Sequence, residues 1–121
     1  RKISGGIIRT VAGNGTAGPG GDGGPATEAQ LALPESVAVD AAGNLYIADT
    51  YGNRIRKVTP AGVITTLAGT GEDGHSGDGG PATAARIARP GNLKGSASGE
   101  VFFVEGASER VRKIPPAGGG G

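Results

Sequence analysis

The sequence predicts an all-β fold built from repeated four-stranded antiparallel sheets, and three observations predict it. First, Gly21-Asp22-Gly23-Gly24-Pro25-Ala26-Thr27 returns 56 residues later as Gly77-Asp78-Gly79-Gly80-Pro81-Ala82-Thr83, and Arg54-Ile55-Arg56-Lys57-Val58 returns at the same offset as Arg110-Val111-Arg112-Lys113-Ile114. Second, each period divides into short strand-like runs separated by turn residues at hairpin spacing. Third, runs such as Leu45-Tyr46-Ile47-Ala48 and Val101-Phe102-Phe103-Val104 are apolar at both parities, so both faces of these strands are covered. A small sheet covered on both faces and repeated at this spacing is a blade of a β-propeller. A two-sheet sandwich needs cleaner alternation, and a parallel solenoid does not place turns at hairpin spacing.

The elements follow in order. Residues 37–40 are a first strand, and Asp40-Ala41-Ala42-Gly43-Asn44 a hairpin loop with Gly43 where positive φ is needed. Residues 45–49 are a second strand, Tyr51-Gly52-Asn53 a turn, and residues 54–59 a third strand. Pro60-Ala61-Gly62 turns the chain again, with Gly62 at positive φ, into a fourth strand over 63–68. Between blades lie long Gly-rich connectors. In each, Pro25 or Pro81 opens one or two helical turns, and Asp22 or Asp78 is expected to accept hydrogen bonds from free N–H groups there.

The chain therefore divides into trailing strands of a preceding blade (1–13), a connector (14–33), a complete blade (34–69), a second connector (70–89), a partial blade without its fourth strand (90–118) and a Gly tail (119–121). Arg1-Lys2-Ile3 corresponds to part of a third strand and residues 7–12 to a fourth.

The block Pro34-Glu35-Ser36-Val37-Ala38-Val39-Asp40-Ala41-Ala42-Gly43-Asn44-Leu45-Tyr46-Ile47-Ala48-Asp49-Thr50, continued by Tyr51-Gly52-Asn53-Arg54-Ile55-Arg56-Lys57-Val58, resembles an NHL repeat. The preceding stretch 12–27 is similar to the long-connector NHL repeats of large bacterial surface and secreted proteins. The resemblance covers nearly the whole chain, departing at Asn92-Leu93-Lys94-Gly95-Ser96, where the family's first strand is degraded. It implies a propeller, usually six-bladed, that serves as a binding scaffold for proteins, RNA or glycans. A minority of such relatives are metal-dependent lyases or hydrolases.

Composition bounds the function. The 26 Gly and 8 Pro would suggest disorder if they were aperiodic, but they recur with the repeat. Lys+Arg 12 against Asp+Glu 11 gives a net charge of +1, which makes nucleic acid an unlikely partner. No apolar run reaches the ~18–20 residues of a membrane span. The absence of Cys removes disulfides, thiolate zinc sites and cysteine nucleophiles. The absence of Met points to a chain that is processed or excerpted.

Candidate chemistry is sparse. Asp49 and Arg54 flank a tight turn and are expected to form an exposed ion pair clipping the hairpin, worth ~0.2–1 kcal/mol, with Glu105 and Arg110 as its repeat. Asp73 and Asp78, with Glu72, are weak candidates for calcium. His75 is the sole histidine, and no Ser-His-Asp arrangement can be assigned. Gly13-Asn14-Gly15 lacks the Lys-Ser or Lys-Thr of a phosphate loop. The basic strands Arg54-Arg56-Lys57, Arg110-Arg112-Lys113 and Arg1-Lys2 are either solvated strand edges or a stripe for RNA or acidic glycan.

These readings lead to a structural or interaction module without a cofactor, extracellular or at the cell surface. The alternatives are a metal-dependent propeller enzyme and an RNA- or glycan-binding propeller. The expected partners are further NHL repeats of a longer chain or copies of this one, with a protein or glycan ligand. Assembly is expected through strand addition involving Ile7, Ile8, Val11, Val101, Val111 and Ile114, giving a larger six-bladed propeller or a head-to-tail assembly.

Overall fold

A computed structural model of the chain describes residues 1–72, 74, 76–96, 99–106 and 110–115. Nine strands form three antiparallel sheets among these residues. Strands β1 (Lys2–Ser4) and β2 (Ile7–Arg9) make a hairpin; β3 (Pro34–Val39), β4 (Leu45–Asp49), β5 (Arg54–Val58) and β6 (Ile64–Ala68) make a four-stranded sheet; β7 (Pro90–Gly95), β8 (Val101–Glu105) and β9 (Arg110–Ile114) make a three-stranded one. Each sheet is a simple meander, because every turn is short enough to return the chain beside the strand it has just left.

Strand limits shift slightly from the sequence expectation. The first strand begins at Pro34 rather than 37 because a bulge between Pro34 and Ser36 extends the pairing with β4. The fourth strand begins at Ile64, and β2 stops at Arg9 rather than 12. Asn92-Leu93-Lys94 does form a first strand despite its departure from the repeat pattern. A bulge between Gly91 and Lys94, with Asn92 in the left-handed region, absorbs the irregularity and turns Leu93 into the core. Each connector contains one turn of 3-10 helix, Ala26–Glu28 and Ala82–Ala84, following Pro25 and Pro81. Neither turn has a side-chain cap, which corrects the capping role expected of Asp22 and Asp78.

Alternation gives each sheet two faces, and both faces of β3–β6 are used. One carries Tyr46, Ala48, Ile55 and Ala68 and packs against Ile87, Leu93, Val101, Phe103 and Ile114 of the following connector and sheet. The other carries Ile47, Val58 and Ile64 and packs on Ala26 and Ala29 of the preceding connector, with Leu31 and Ala12 at its margin. Burying each large aliphatic or aromatic side chain in such a layer contributes ~1.5–3 kcal/mol. Val101 and Ile114, expected on assembly strands, belong to the first of these cores and are not surface residues.

Candidate functional site

The polar side chains that the fold brings together lie at the blade–connector seams. Arg56 stands in the middle of β5 and is wholly buried. Its guanidinium donates to Asp22 Oδ1 at 2.8 and 3.2 Å, to Asp49 Oδ2 at 3.3 Å, to the Gln30 carbonyl at 2.8 Å and to the Gly20 carbonyl at 3.3 Å. Five donors on a planar fork thus meet two carboxylates and two backbone carbonyls, and this satisfies a buried cation. Asp22 also accepts a hydrogen bond from the Thr66 hydroxyl, and Asp49 accepts one from the Ala32 N–H. Burial pushes the Asp49 carboxyl above its ordinary range, while the Ala32 N–H and the Arg56 guanidinium pull it back.

The second repeat rebuilds the same clamp. Arg112 donates to Asp78 at 2.7 and 3.0 Å, to Glu105 at 3.3 Å, to the Arg86 carbonyl at 2.8 Å and to the Ser76 carbonyl at 2.9 Å. Ala88 N–H donates to Glu105 at 2.7 Å, as Ala32 does to Asp49.

This arrangement corrects the expected pairing. Asp49 and Arg54 are cross-strand partners in register, as are Glu105 and Arg110, but the carboxylates bridge to Arg56 and Arg112, and Asp49 is buried rather than exposed. The reason is reach: the connector offers Arg56 three further acceptors, whereas the Arg54 guanidinium lies over Gly71 and donates to the Thr70 carbonyl at 3.0 Å. Arg56 is therefore also removed from any basic stripe, and Arg112 almost so.

Gly43 and Gly62 hold φ of 91° and 87°, the turn geometry their positions require. Beside Gly43, Asp40 accepts from the Ala42 and Asn44 N–H groups, the Asn44 side chain and the Tyr46 hydroxyl. The Asn44 side chain, followed by the Tyr46 hydroxyl, lowers Asp40 to about 2; burial and then Asp40 itself push Tyr46 up to about 12. Asp73 and His75 lie outside the described residues. Asp78 serves the Arg112 clamp, and no group of three metal-ligating side chains occurs among the described residues.

The junction between the two larger sheets carries a polar seam as well. Thr50 Oγ1 donates to the Pro90 carbonyl at 2.8 Å, Leu93 N–H donates to Ser36 Oγ at 2.9 Å, and Arg89 N–H donates to Asn53 Oδ1 at 2.9 Å. Arg56 stood out in the sequence only as part of a basic strand, and no local motif marked the seam residues for these contacts. The signal that could have found the clamp is the joint return of Asp22, Asp49 and Arg56 as Asp78, Glu105 and Arg112, three charged positions retained at one offset.

Comparing equivalent positions shows which surfaces are left uncovered. Ala48 and Ile55 are 0% exposed beneath the next sheet, while their equivalents Val104 and Val111 are 36% and 70% exposed. On the opposite face Leu93 is 4% exposed and its equivalent Val37 is 61%. Ile7 and Ile8 are exposed on β2; Val11 lies beyond that strand and is half-buried. The arrangement offers apolar sheet faces for packing and no assembled acid–base or nucleophilic group among the described residues. No helix there is long and apolar enough to cross a membrane.

Known proteins resemble this chain in sequence and in fold. Teneurin-3 of Danio rerio is 50% identical over 52 residues, and teneurin-3 of Mus musculus is 46% identical over 52. Each match spans 43% of this chain and 2% of the relative's length. Among solved structures, a protein of unknown function from Bacteroides thetaiotaomicron superposes with a TM-score of 0.77 at 25% identity, over 92% of this chain and 28% of that one. An auxiliary nutrient binding protein from the same organism gives a TM-score of 0.65 at 23% identity, over 86% of this chain and 27% of that one, a likeness of fold. The teneurin NHL domain description matches residues 9–73, more than half of the sequence, and the chain belongs to that family of propeller-blade domains.

Proposed function

We propose that the chain is a non-enzymatic interaction scaffold for protein–protein contact, working at the cell surface or outside the cell. One observation carries the reading: residues whose equivalents are fully covered at the internal junction, Val104 and Val111, stand uncovered on the outward face. Apolar side chains grouped on one sheet face are suited to a protein partner. The clamps support the same reading, because their carboxylates are engaged in holding connectors rather than facing a ligand. The extracellular placement draws on the resemblance to repeats of surface and secreted proteins and on teneurin NHL family membership.

Three measurements on the purified chain test this. Arrays of extracellular protein domains and of glycans are probed with the labelled chain, metal content is measured by mass spectrometry, and retention on immobilised heparin is followed against salt. The scaffold reading expects protein-domain binding that weakens in the V104K/V111K variant, no stoichiometric metal, and elution at low salt. A stoichiometric metal, or glycan and heparin binding that falls steeply with salt, overturns it.

A further inference from the structure

We infer that Asn14 is the acceptor of an N-linked glycan, with the Thr16 hydroxyl as the group by which the site is recognised. The inference rests on the extracellular part of the reading above, because the chain must meet a glycan-transferring enzyme, and it adds a modification to that reading.

Gly13-Asn14-Gly15 does not make a phosphate loop, but Thr16 follows it, so Asn14-Gly15-Thr16 has the Asn-x-Thr spacing of a glycan acceptor. Asn44, Asn53 and Asn92 have Tyr46, Ile55 and Lys94 two places on, where an acceptor needs Ser or Thr. Two of them are also engaged. The Asn44 side chain donates to Asp40 at 2.9 Å, and Asn53 Oδ1 accepts from the Arg89 N–H. By contrast, Asn14, Gly15 and Thr16 are all exposed on the first connector. Asn14 Oδ1 accepts from the Thr16 N–H at 2.9 Å, which draws the carboxamide and Thr16 into one tight turn. The carboxamide nitrogen makes only a long contact, 3.4 Å to the Glu28 carbonyl, and the Thr16 hydroxyl has no hydrogen bond among the described residues.

The second repeat shows that this turn does not require asparagine. Its counterpart is Thr70-Gly71-Glu72, where the Thr70 hydroxyl accepts from the Glu72 N–H at 3.2 Å. That connector follows a complete four-stranded sheet, yet Thr70 and Gly71 are still only half-buried and Glu72 is exposed. The position therefore reaches solvent with a whole sheet in front of it. What asparagine adds at 14 is a carboxamide nitrogen.

In the transfer, Asn14 Nδ2 bonds to the anomeric carbon of a lipid-pyrophosphate-linked oligosaccharide. The bond from that carbon to the pyrophosphate oxygen breaks, the lipid pyrophosphate leaves with the bonding pair, and one carboxamide proton passes to a base of the transferase. The first connector packs on one face of β3–β6 and the β7–β9 sheet on the other. A glycan on Asn14 thus leaves Val104 and Val111 open to a protein partner.

The test sends the full chain, behind a cleavable secretion leader, through cells that transfer N-linked glycans. Intact mass is read before and after enzymatic removal of those glycans. The wild type is expected as a species heavier than 11.7 kDa that collapses to the chain mass on glycan removal, with the attachment mapped to Asn14. N14D keeps the turn acceptor but loses the nitrogen, and T16A keeps the backbone N–H but loses the hydroxyl; each is expected to remove the heavier species. T16S restores the hydroxyl and is expected to restore the modification. A wild type recovered from the secretory compartment wholly at the chain mass overturns the proposal, as does a glycan that persists in N14D or T16A. Because the leader imposes the route, an unmodified chain counts against Asn14 alone, and the protein-domain array still decides the scaffold reading.

Discussion

Arg56 and Asp49 are joined at 3.3 Å with both side chains fully excluded from solvent. Replacing Arg56 by Met leaves the Asp49 carboxylate buried without its cation, and halving such a pair typically costs ~3–5 kcal/mol. Urea denaturation at neutral pH is expected to show a loss of this order. The double variant D49N/R56M should recover part of it, because removing both charges is cheaper than stranding one. The loss in R56M also depends on pH. Burial already raises Asp49, and without Arg56 it rises further; a carboxyl raised in the folded state favours folding at low pH and loses that advantage as pH rises through its folded value. R56M should therefore be less impaired in acid than at neutrality. A flat profile would show that Asp49 is compensated by another group.

The sheet meander was legible because it depends on local chemistry repeated twice: turn glycines, apolar runs and prolines at fixed offsets. The clamp partner was not. Asp49 and Arg54 are near neighbours across a hairpin, and sequence distance favours them, yet the pairing is decided by acceptors 26 to 36 residues away, at Gly20, Asp22 and Gln30. The burial of Val101 and Ile114 against the exposure of Val111 was not legible for a related reason. A strand's period states which residues share a face but not which face the next blade covers.

Two turn glycines and one junction glycine separate backbone strain from steric contact. Gly62 has open space around its missing Cβ and Gly43 meets only Pro60 at 3.5 Å, so valine at either position is penalised chiefly by positive φ, on the order of 1–2 kcal/mol. At Gly69 a Cβ would also run into the Asn53 carbonyl oxygen. G69A is expected to cost more than G62V or G43V, although alanine is the smaller residue. Exposed Thr65 should tolerate alanine within ~0.5 kcal/mol. Equal thermal shifts for all four variants would contradict these turn and junction geometries.

Tyr46 and Asp40 couple two titrations at 2.8 Å. Asp40 is lowered to about 2, so its contribution to stability is present above its ordinary 3.8 and is lost as pH falls through about 2. Tyr46 is raised to about 12, so its contribution is present below 10.0 and is lost as pH rises through about 12. In a Y51F background, where Tyr46 is the remaining tyrosine, tyrosinate absorbance should develop near pH 12. Adding D40N should bring the transition back toward 10, because the hydroxyl then loses its charged acceptor. No movement on adding D40N would mean that burial alone holds Tyr46 neutral.

The Thr50 hydroxyl crosses the blade junction to the Pro90 carbonyl, 40 residues away, in a buried setting. T50V keeps the side-chain shape and removes the donor, leaving that carbonyl without this bond at a cost of ~1–3 kcal/mol. S36A removes the acceptor of the Leu93 N–H at the same seam, and a similar loss is expected. T50S restores the donor and should restore most of the stability. Where the loss appears is as informative as its size. Both bonds tie the β3–β6 sheet to β7, so hydrogen exchange should quicken at β7 amides and at β3, while β5–β6 pairing, on the far side of the sheet, keeps its protection. Faster exchange confined to residues 48–52 would mean that Thr50 steadies only its own turn. Uniform acceleration through β3–β9 would mean that the two sheets open as one unit, with the seam contributing to global rather than local stability.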